Sequence, residues 1–228
     1  MNTPVISATG LWTPPNSISN EELVHSYNVW ADNWNRERAA DISAGLIEPK
    51  THSSVEFIQK ASGIKSRFVI DKAGILDPDI MAPRIAERPN DRISVLAEIA
   101  VNAARDALER SGRKAEDVDA VICAASNMQR AYPAMAVEVQ DALGCGGFAF
   151  DMTMACAAAL YGLNLANGLI RSGQAKRILI CSPELMTCIN VHSRREVHFI
   201  FGDASAAMIV EADDGRPGGW DVLGTHTE

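Results

Sequence analysis

The 228 residues are 47% hydrophobic and only 22% charged, enough apolar material for a large core in one big domain or a domain and a half. A formal net charge of −8 argues against nucleic acid as the main partner, because a phosphate backbone needs a basic face, so any polyanionic ligand must find a local basic spot. The expectation is a cytoplasmic protein without a membrane partner: five cysteines show no CxxC or Cys/His metal spacing, the opening MNTPVISATGLWTPPN has no basic and apolar leader pattern, and no run reaches membrane-spanning length.

In chain order, Pro4 to Ala8 is apolar and β-branched and predicts a strand, and Gly10 to Ser17, with Pro14 and Pro15, predicts a turn-rich loop. Residues 20 to 62 predict two or three short helical pieces, with Trp30 and Trp34 at i, i+4 spacing and an irregular stretch around Gly45 to Ser54. Ile64 to Ile70 reads as a strand and Asp71 to Arg92 as a loop with three prolines. Ser94 to Ser111 places Leu96, Ile99, Ala103, Ala107 and Leu108 on one face, an amphipathic helix stopped by Gly112. Val118 to Ala124 predicts a buried strand, Ala134 to Leu143 a helix opened by Pro133, Phe148 to Asp151 a strand, and Cys156 to Arg171 a helix closed at Gly173. Ile178 to Cys181, Ala206 to Val210 and Trp220 to Thr225 add strands, with Asp213 to Gly219 as a surface turn between the last two. Apolar strands separated by such helices indicate a sheet covered on both faces, a layered α/β domain.

The chemistry concentrates at Phe148-Ala-Phe-Asp-Met-Thr-Met-Ala-Cys156-Ala-Ala-Ala-Leu160, a strand running into a small-residue helix. Backbone N–H groups at a helix start favour thiolate over thiol and can hydrogen-bond an oxyanion on an attached acyl group. The pattern also admits the plainer reading of Cys156 as a small buried hydrophobe. His192 and His198 lie too far apart for one helical face and lack an acidic ligand pair, so no metal site is predicted, and His25, His52 and His226 read as isolated and solvated. Gly144 to Gly147 precedes a strand instead of linking strand to helix, so it is no phosphate loop. Asp203, after Phe201 and Gly202, reads as a hydrogen-bonded turn holding the chain where it enters a strand.

Four segments carry a resemblance: Ser62-Gly-Ile-Lys-Ser-Arg67; Ala131-Tyr-Pro133; Asp151-Met-Thr-Met-Ala-Cys156 with its Ala-rich continuation; and Phe199-Ile-Phe-Gly-Asp-Ala-Ser-Ala-Ala207. In this order and spacing the chain resembles, from Gly10 to about Thr225, the β-ketoacyl-[acyl-carrier-protein] synthase III family of the thiolase superfamily. The resemblance implies a layered α-β-α thiolase-like fold with a mixed sheet, residues 1–228 forming the first half of a duplicated fold. It implies transfer of an acyl group from acyl-CoA to a Cys nucleophile, then decarboxylative condensation with malonyl-acyl carrier protein in fatty acid biosynthesis. Cys156 then matches the nucleophile, and Arg195 the arginine that contacts coenzyme A, with Arg194 completing a basic spot. Phe201 and Met186 match walls of the acyl pocket, and Tyr132 an aromatic that reaches across a homodimer interface.

The departures lie in the donor region: Phe57 and Ala61 stand where the family commonly has Trp and Arg, and the segment between Leu23 and Phe57 is longer than usual. The coenzyme A thioester is substrate, so no cofactor and no metal is implied. The family's catalytic His and Asn fall in the C-terminal half, outside this chain, so residues 1–228 alone are expected to be incomplete for condensation. Three other readings stay open: a superfamily relative transferring acyl to oxygen or nitrogen or condensing without decarboxylation, a non-catalytic partner subunit, and a plain small-molecule binding domain.

Overall fold

The computed structural model describes residues 3–226. In chain order the elements are β1 (Pro4–Trp12), β2 (Asn16–Ser19), α1 (Asn20–Glu37), α2 (Ala39–Ser43), α3 (Val55–Ser62), β3 (Ser66–Val69), α4 (Lys72–Leu76), α5 (Val95–Ser111), β4 (Ala120–Ala125), α6 (Met135–Leu143), β5 (Phe148–Thr153), α7 (Ala158–Arg171), β6 (Arg177–Leu185), β7 (Asp203–Ala212) and β8 (Trp220–Asp221). The described residues sort into two compact units: 3–12, Arg88–Glu184 and 204–226 form the first, and Thr13–Glu87 with Leu185–Asp203 the second.

The first unit is built on a six-stranded mixed sheet of order β5-β4-β6-β7-β1-β8, in which β4 runs parallel to β5 and β6 while β1 runs antiparallel to β7 and β8. Strand β4 is buried at every position, as a strand covered on both faces must be. Its Ala120, Ile122 and Ala124 pack with Ala158, Ala166 and Ile170 of α7 and with Ile178 and Ile180 of β6. By the two-residue alternation Cys123 points the other way, in register with Asp151 on β5. The Asp151 carboxylate accepts the N–H groups of Met135 and Ala136, both at 2.8 Å, and so caps the start of α6 on that face. The expected α-β-α layering with a mixed sheet is therefore what forms. Helix α5 lies directly on β1, where a Cβ at Gly10 would stand 2.1 Å from the Ala103 carbonyl oxygen, so nothing larger than glycine fits.

In the second unit β2 and β3 pair antiparallel, and Arg67 on β3 reaches back to the Ile18 carbonyl at 3.1 Å and the Asn20 side chain at 2.6 Å. Burial lowers this guanidinium to about 10, so it stays charged at neutral pH. Ile18, Leu23, Ile58, Val69, Ile75 and Phe199 form the core, with Tyr27, Ala31 and Met81 beside it.

Several boundaries differ from the sequence expectation. Strand β1 continues to Trp12 because Ala8 to Trp12 pair with Ile209 to Ser205 of β7, so Gly10 to Trp12 are strand and not loop. Residues 20 to 62 hold three helices, within the expected number, but the first, α1, is 18 residues long and not short; a reciprocal cap between Ser19 and Glu22 fixes its start. The proline-containing loop holds the short α4, capped by Asp71, and the last strand shrinks to Trp220 and Asp221.

Candidate active site

Strand β5 ends at Thr153, and Ala155 then takes a left-handed backbone with φ of 45°, after which Ala155–Ala157 make a single 3-10 turn. For an alanine this conformation costs about 1 kcal/mol, and such local strain concentrates where a side chain must be aimed. Cys156 is the centre of that turn, two residues ahead of the first residue of α7, which starts with no side-chain cap on its first N–H groups. The structure corrects one expectation: Cys156 is exposed and not buried, and it precedes the helix instead of opening it. The reason it precedes the helix is the 3-10 turn at Ala155–Ala157, which delays the start of α7 to Ala158.

The other thiols are disfavoured as nucleophiles. Burial drives Cys123 and Cys181 well above the ordinary thiol range, and raises Cys145 to about 11. Cys188 shows surface to solvent, yet desolvation and then the Asp203 carboxylate push its thiol up to about 11.

Tyr132, in the same unit as Cys156, is 91% exposed. The remaining predicted residues, Arg195, Phe57, Phe201 and Met186, all belong to the second unit. Arg195 and Phe57 are brought together: the guanidinium carbon stands 3.9 Å from the Phe57 ring centroid. Arg195 Nε donates to the His52 carbonyl at 2.8 Å, and neither Nη atom meets a protein partner among the described residues. The guanidinium thus sits over an aromatic ring and is tied at Nε alone among the described residues. Arg194 is exposed and adds charge at the same segment. Phe201 precedes β7 and is 38% exposed, so it is not the core strand residue a Phe there would be by default. Met186 sits half-buried in a 3-10 turn whose next residue, Thr187, is tied to Asp203.

Asp203 fulfils the turn role read from sequence. Its carboxylate accepts from Thr187 N at 2.9 Å, Thr187 Oγ1 at 2.7 Å and Ile70 N at 2.9 Å. Residues the sequence left without a role also matter. Asp151 anchors the strand that leads to Cys156, and the fully buried His198 shares a 3.0 Å hydrogen bond with Ser53 Oγ while packing 4.7 Å from the Tyr27 ring. Among the described residues no cluster of three His, Cys, Asp or Glu is placed to hold a metal.

Burial, helped by the charge of Arg67, the His192 ring and the charge of Arg195, depresses His198 to about 3. The unfolded chain then binds the extra proton as pH falls below 6.5, the ordinary value, so the stability this ring contributes is complete above that pH and declines toward about 3. Between pH 6.5 and 5 the expected loss is about 2 kcal/mol, and His198→Gln is expected to flatten that part of a urea-denaturation pH series.

Comparison with known proteins decides the family. Residues 150–228 match the family model described as 3-oxoacyl-[acyl-carrier-protein] synthase III. A β-ketodecanoyl-[acyl-carrier-protein] synthase of Pseudomonas aeruginosa is 51% identical over 191 residues, covering 84% of this chain and 55% of that protein. A β-ketoacyl-[acyl-carrier-protein] synthase III of Granulibacter bethesdensis is 31% identical over 99% of this chain and 57% of its own length. The chain belongs to the β-ketoacyl-[acyl-carrier-protein] synthase III family.

A synthase III crystal structure from Aquifex aeolicus superposes with a TM-score of 0.69 at 24% identity, over 92% of this chain and 54% of that one, which establishes the thiolase-like fold. The chain thus spans about half the length of the curated relatives it matches. Of the site residues expected from the resemblance, the matched segment takes in the positions of Cys156, Met186, Arg195 and Phe201, while Phe57 and Tyr132 lie before it.

Proposed function

We propose that the protein is a synthase III-type condensing acyltransferase whose nucleophile is Cys156 and whose donor is a medium-chain acyl-CoA. The observation that carries this reading is Cys156 itself, exposed on a strained strand-to-helix turn at the start of the segment that matches the family, while burial raises the other four thiols. The thiolate attacks the thioester carbonyl, the C–S bond to coenzyme A breaks, and the departing thiolate takes up the proton that Cys156 lost. Malonyl-acyl carrier protein then loses carbon dioxide, and the carbon so freed attacks the acyl-Cys. The product is a 3-ketoacyl chain two carbons longer, and the Cys156 thiol is regenerated.

Chain length follows from the relative with 51% identity, whose name states a β-ketodecanoyl product. A ten-carbon product built by a two-carbon extension takes an eight-carbon donor. The half-buried Met186 and part-exposed Phe201 are the apolar surface proposed to meet that chain. The two Nη atoms of Arg195, which meet no protein partner among the described residues, suit a phosphate of coenzyme A, and Phe57, the ring beneath that guanidinium, is proposed to stand in for the family's Trp that stacks on the adenine. Tyr132, projecting into solvent, is proposed to enter a partner subunit's pocket in a cytoplasmic homodimer. Donors for the enolate oxygen would come from the His and Asn of the C-terminal half.

The test is intact mass of the full-length protein after mixing with acetyl-, octanoyl- and palmitoyl-CoA. The expected result is one octanoyl group per subunit, mapped to Cys156, with octanoyl labelling fastest. No covalent adduct from any donor, or an adduct on another cysteine, overturns the reading.

A further inference from the structure

Residues 44–54 form no helix or strand, yet their backbone is well held. Asn28, Asp32 and Asn35 stand at i, i+4 and i+7 on one face of α1. The Asn28 amide donates to the Ser53 carbonyl at 3.1 Å and accepts from Ser53 N at 2.8 Å. Asn35 does the same for Lys50, at 2.9 and 2.8 Å, and Asp32 meets His52 Nε2 at 2.8 Å between them. Side chains thus supply the ladder that a neighbouring strand would otherwise provide.

The far end of the segment is gripped a second time, by residues 195–198. Arg195 Nε donates to the His52 carbonyl at 2.8 Å, and the His198 ring meets Ser53 Oγ at 3.0 Å. His198 Nδ1 is buried without a partner, so a bare acceptor there costs less than a stranded N–H, which puts the proton on Nε2 and makes Ser53 Oγ the acceptor. Ser54 then caps α3 by accepting the Phe57 N–H at 3.1 Å, which sets Phe57 beneath the guanidinium. Two residues, His52 and Ser53, therefore sit between α1 on one side and the Arg195 segment on the other.

We propose that Ser53 and His198, with Asn28 behind them, are positioning residues for the thioester donor: they hold the 52–57 segment so that the Phe57 ring and the Arg195 guanidinium face each other where the nucleotide binds. The proposal rests on the reading of Arg195 and Phe57 as the donor contacts. Ser53 is buried and its side chain is bound to His198, so its effect reaches the donor through the segment that carries Arg195. A donor without a nucleotide has nothing to gain from that alignment.

The test compares octanoyl-CoA with octanoyl-N-acetylcysteamine on the full-length protein. Ser53→Ala is expected to raise KM for octanoyl-CoA about tenfold with kcat little changed, to leave the nucleotide-free donor within about twofold, and to be rescued by Ser53→Thr, which keeps the hydroxyl. Equal losses on both donors, or no change on either, overturn the proposal. Arg195→Ala separates it from the reading beneath: if that variant fails to discriminate the two donors, the donor-site reading falls, whereas discrimination by Arg195→Ala but not by Ser53→Ala sinks only the positioning role. Should Ser53→Ala not fold, Asn28→Ser cuts the opposite ties of the same residue and must give the same donor-dependent split.

Discussion

Cys156→Ala is expected to abolish both the acyl adduct and 3-ketoacyl formation, with a loss of about ten-thousand-fold or more, because no other group on this segment can hold the acyl chain as an electrophile for carbon. The side chain is exposed and packs no core, so thermal stability should stay close to that of the unaltered protein. Cys156→Ser is the sharper variant. It keeps the size and the turn, but a hydroxyl ionises far less readily than a thiol and its ester is a poorer electrophile, so a trace of slow acylation with negligible condensation is expected. Octanoyl-CoA turnover and intact mass measured together read both steps. Retained condensation in Cys156→Ala would transfer the role to another cysteine. All four of the others begin with thiols pushed above their ordinary range.

The layered sheet was legible because its signals are local. A short uninterrupted apolar run bounded by turn residues reads as a strand covered on both faces, which is what β4 is, and the stripe on α5 comes with its own stops, Ser94 accepting the Ala97 N–H and Gly112 in the left-handed region. The position of Cys156 was legible from the strand-to-helix pattern, but its exposure was not, since that depends on the left-handed Ala155, a residue with no preference for such a backbone. Segment 44–54 gave no signal for a different reason. Its hydrogen bonds go to Asn28 and Asn35 on α1, so neither apolar period could appear in it. The stacking of Arg195 on Phe57 joins residues far apart in the chain; the family resemblance pointed to each, and only the fold put them face to face.

Asp203→Ala should be the most destabilising single change in the second unit. One buried carboxylate serves three donors, Thr187 N, Thr187 Oγ1 and Ile70 N, and alanine would leave a buried and a part-buried backbone N–H unpaired while opening a cavity. Charge-assisted bonds of this kind are worth more than neutral ones, and stranding their donors adds the desolvation cost, so a loss of about 4 kcal/mol in urea denaturation is expected. Asp203→Asn keeps one acceptor oxygen and turns the other into a donor facing donors, so about half that loss is expected. The two variants together separate a charge-accepting anchor from a mere space filler, which would give a small effect for Asn and a modest one for Ala. Function should follow stability here in a telling way. Thr187 is next to Met186, and the segment that Asp203 closes also carries Arg195, so a surviving Asp203→Asn protein should lose turnover with octanoyl-CoA and with the nucleotide-free donor alike, unlike Ser53→Ala. A stability within about 1 kcal/mol of the unaltered protein for Asp203→Ala would show that the turn holds without its carboxylate, against the three bonds that now define it.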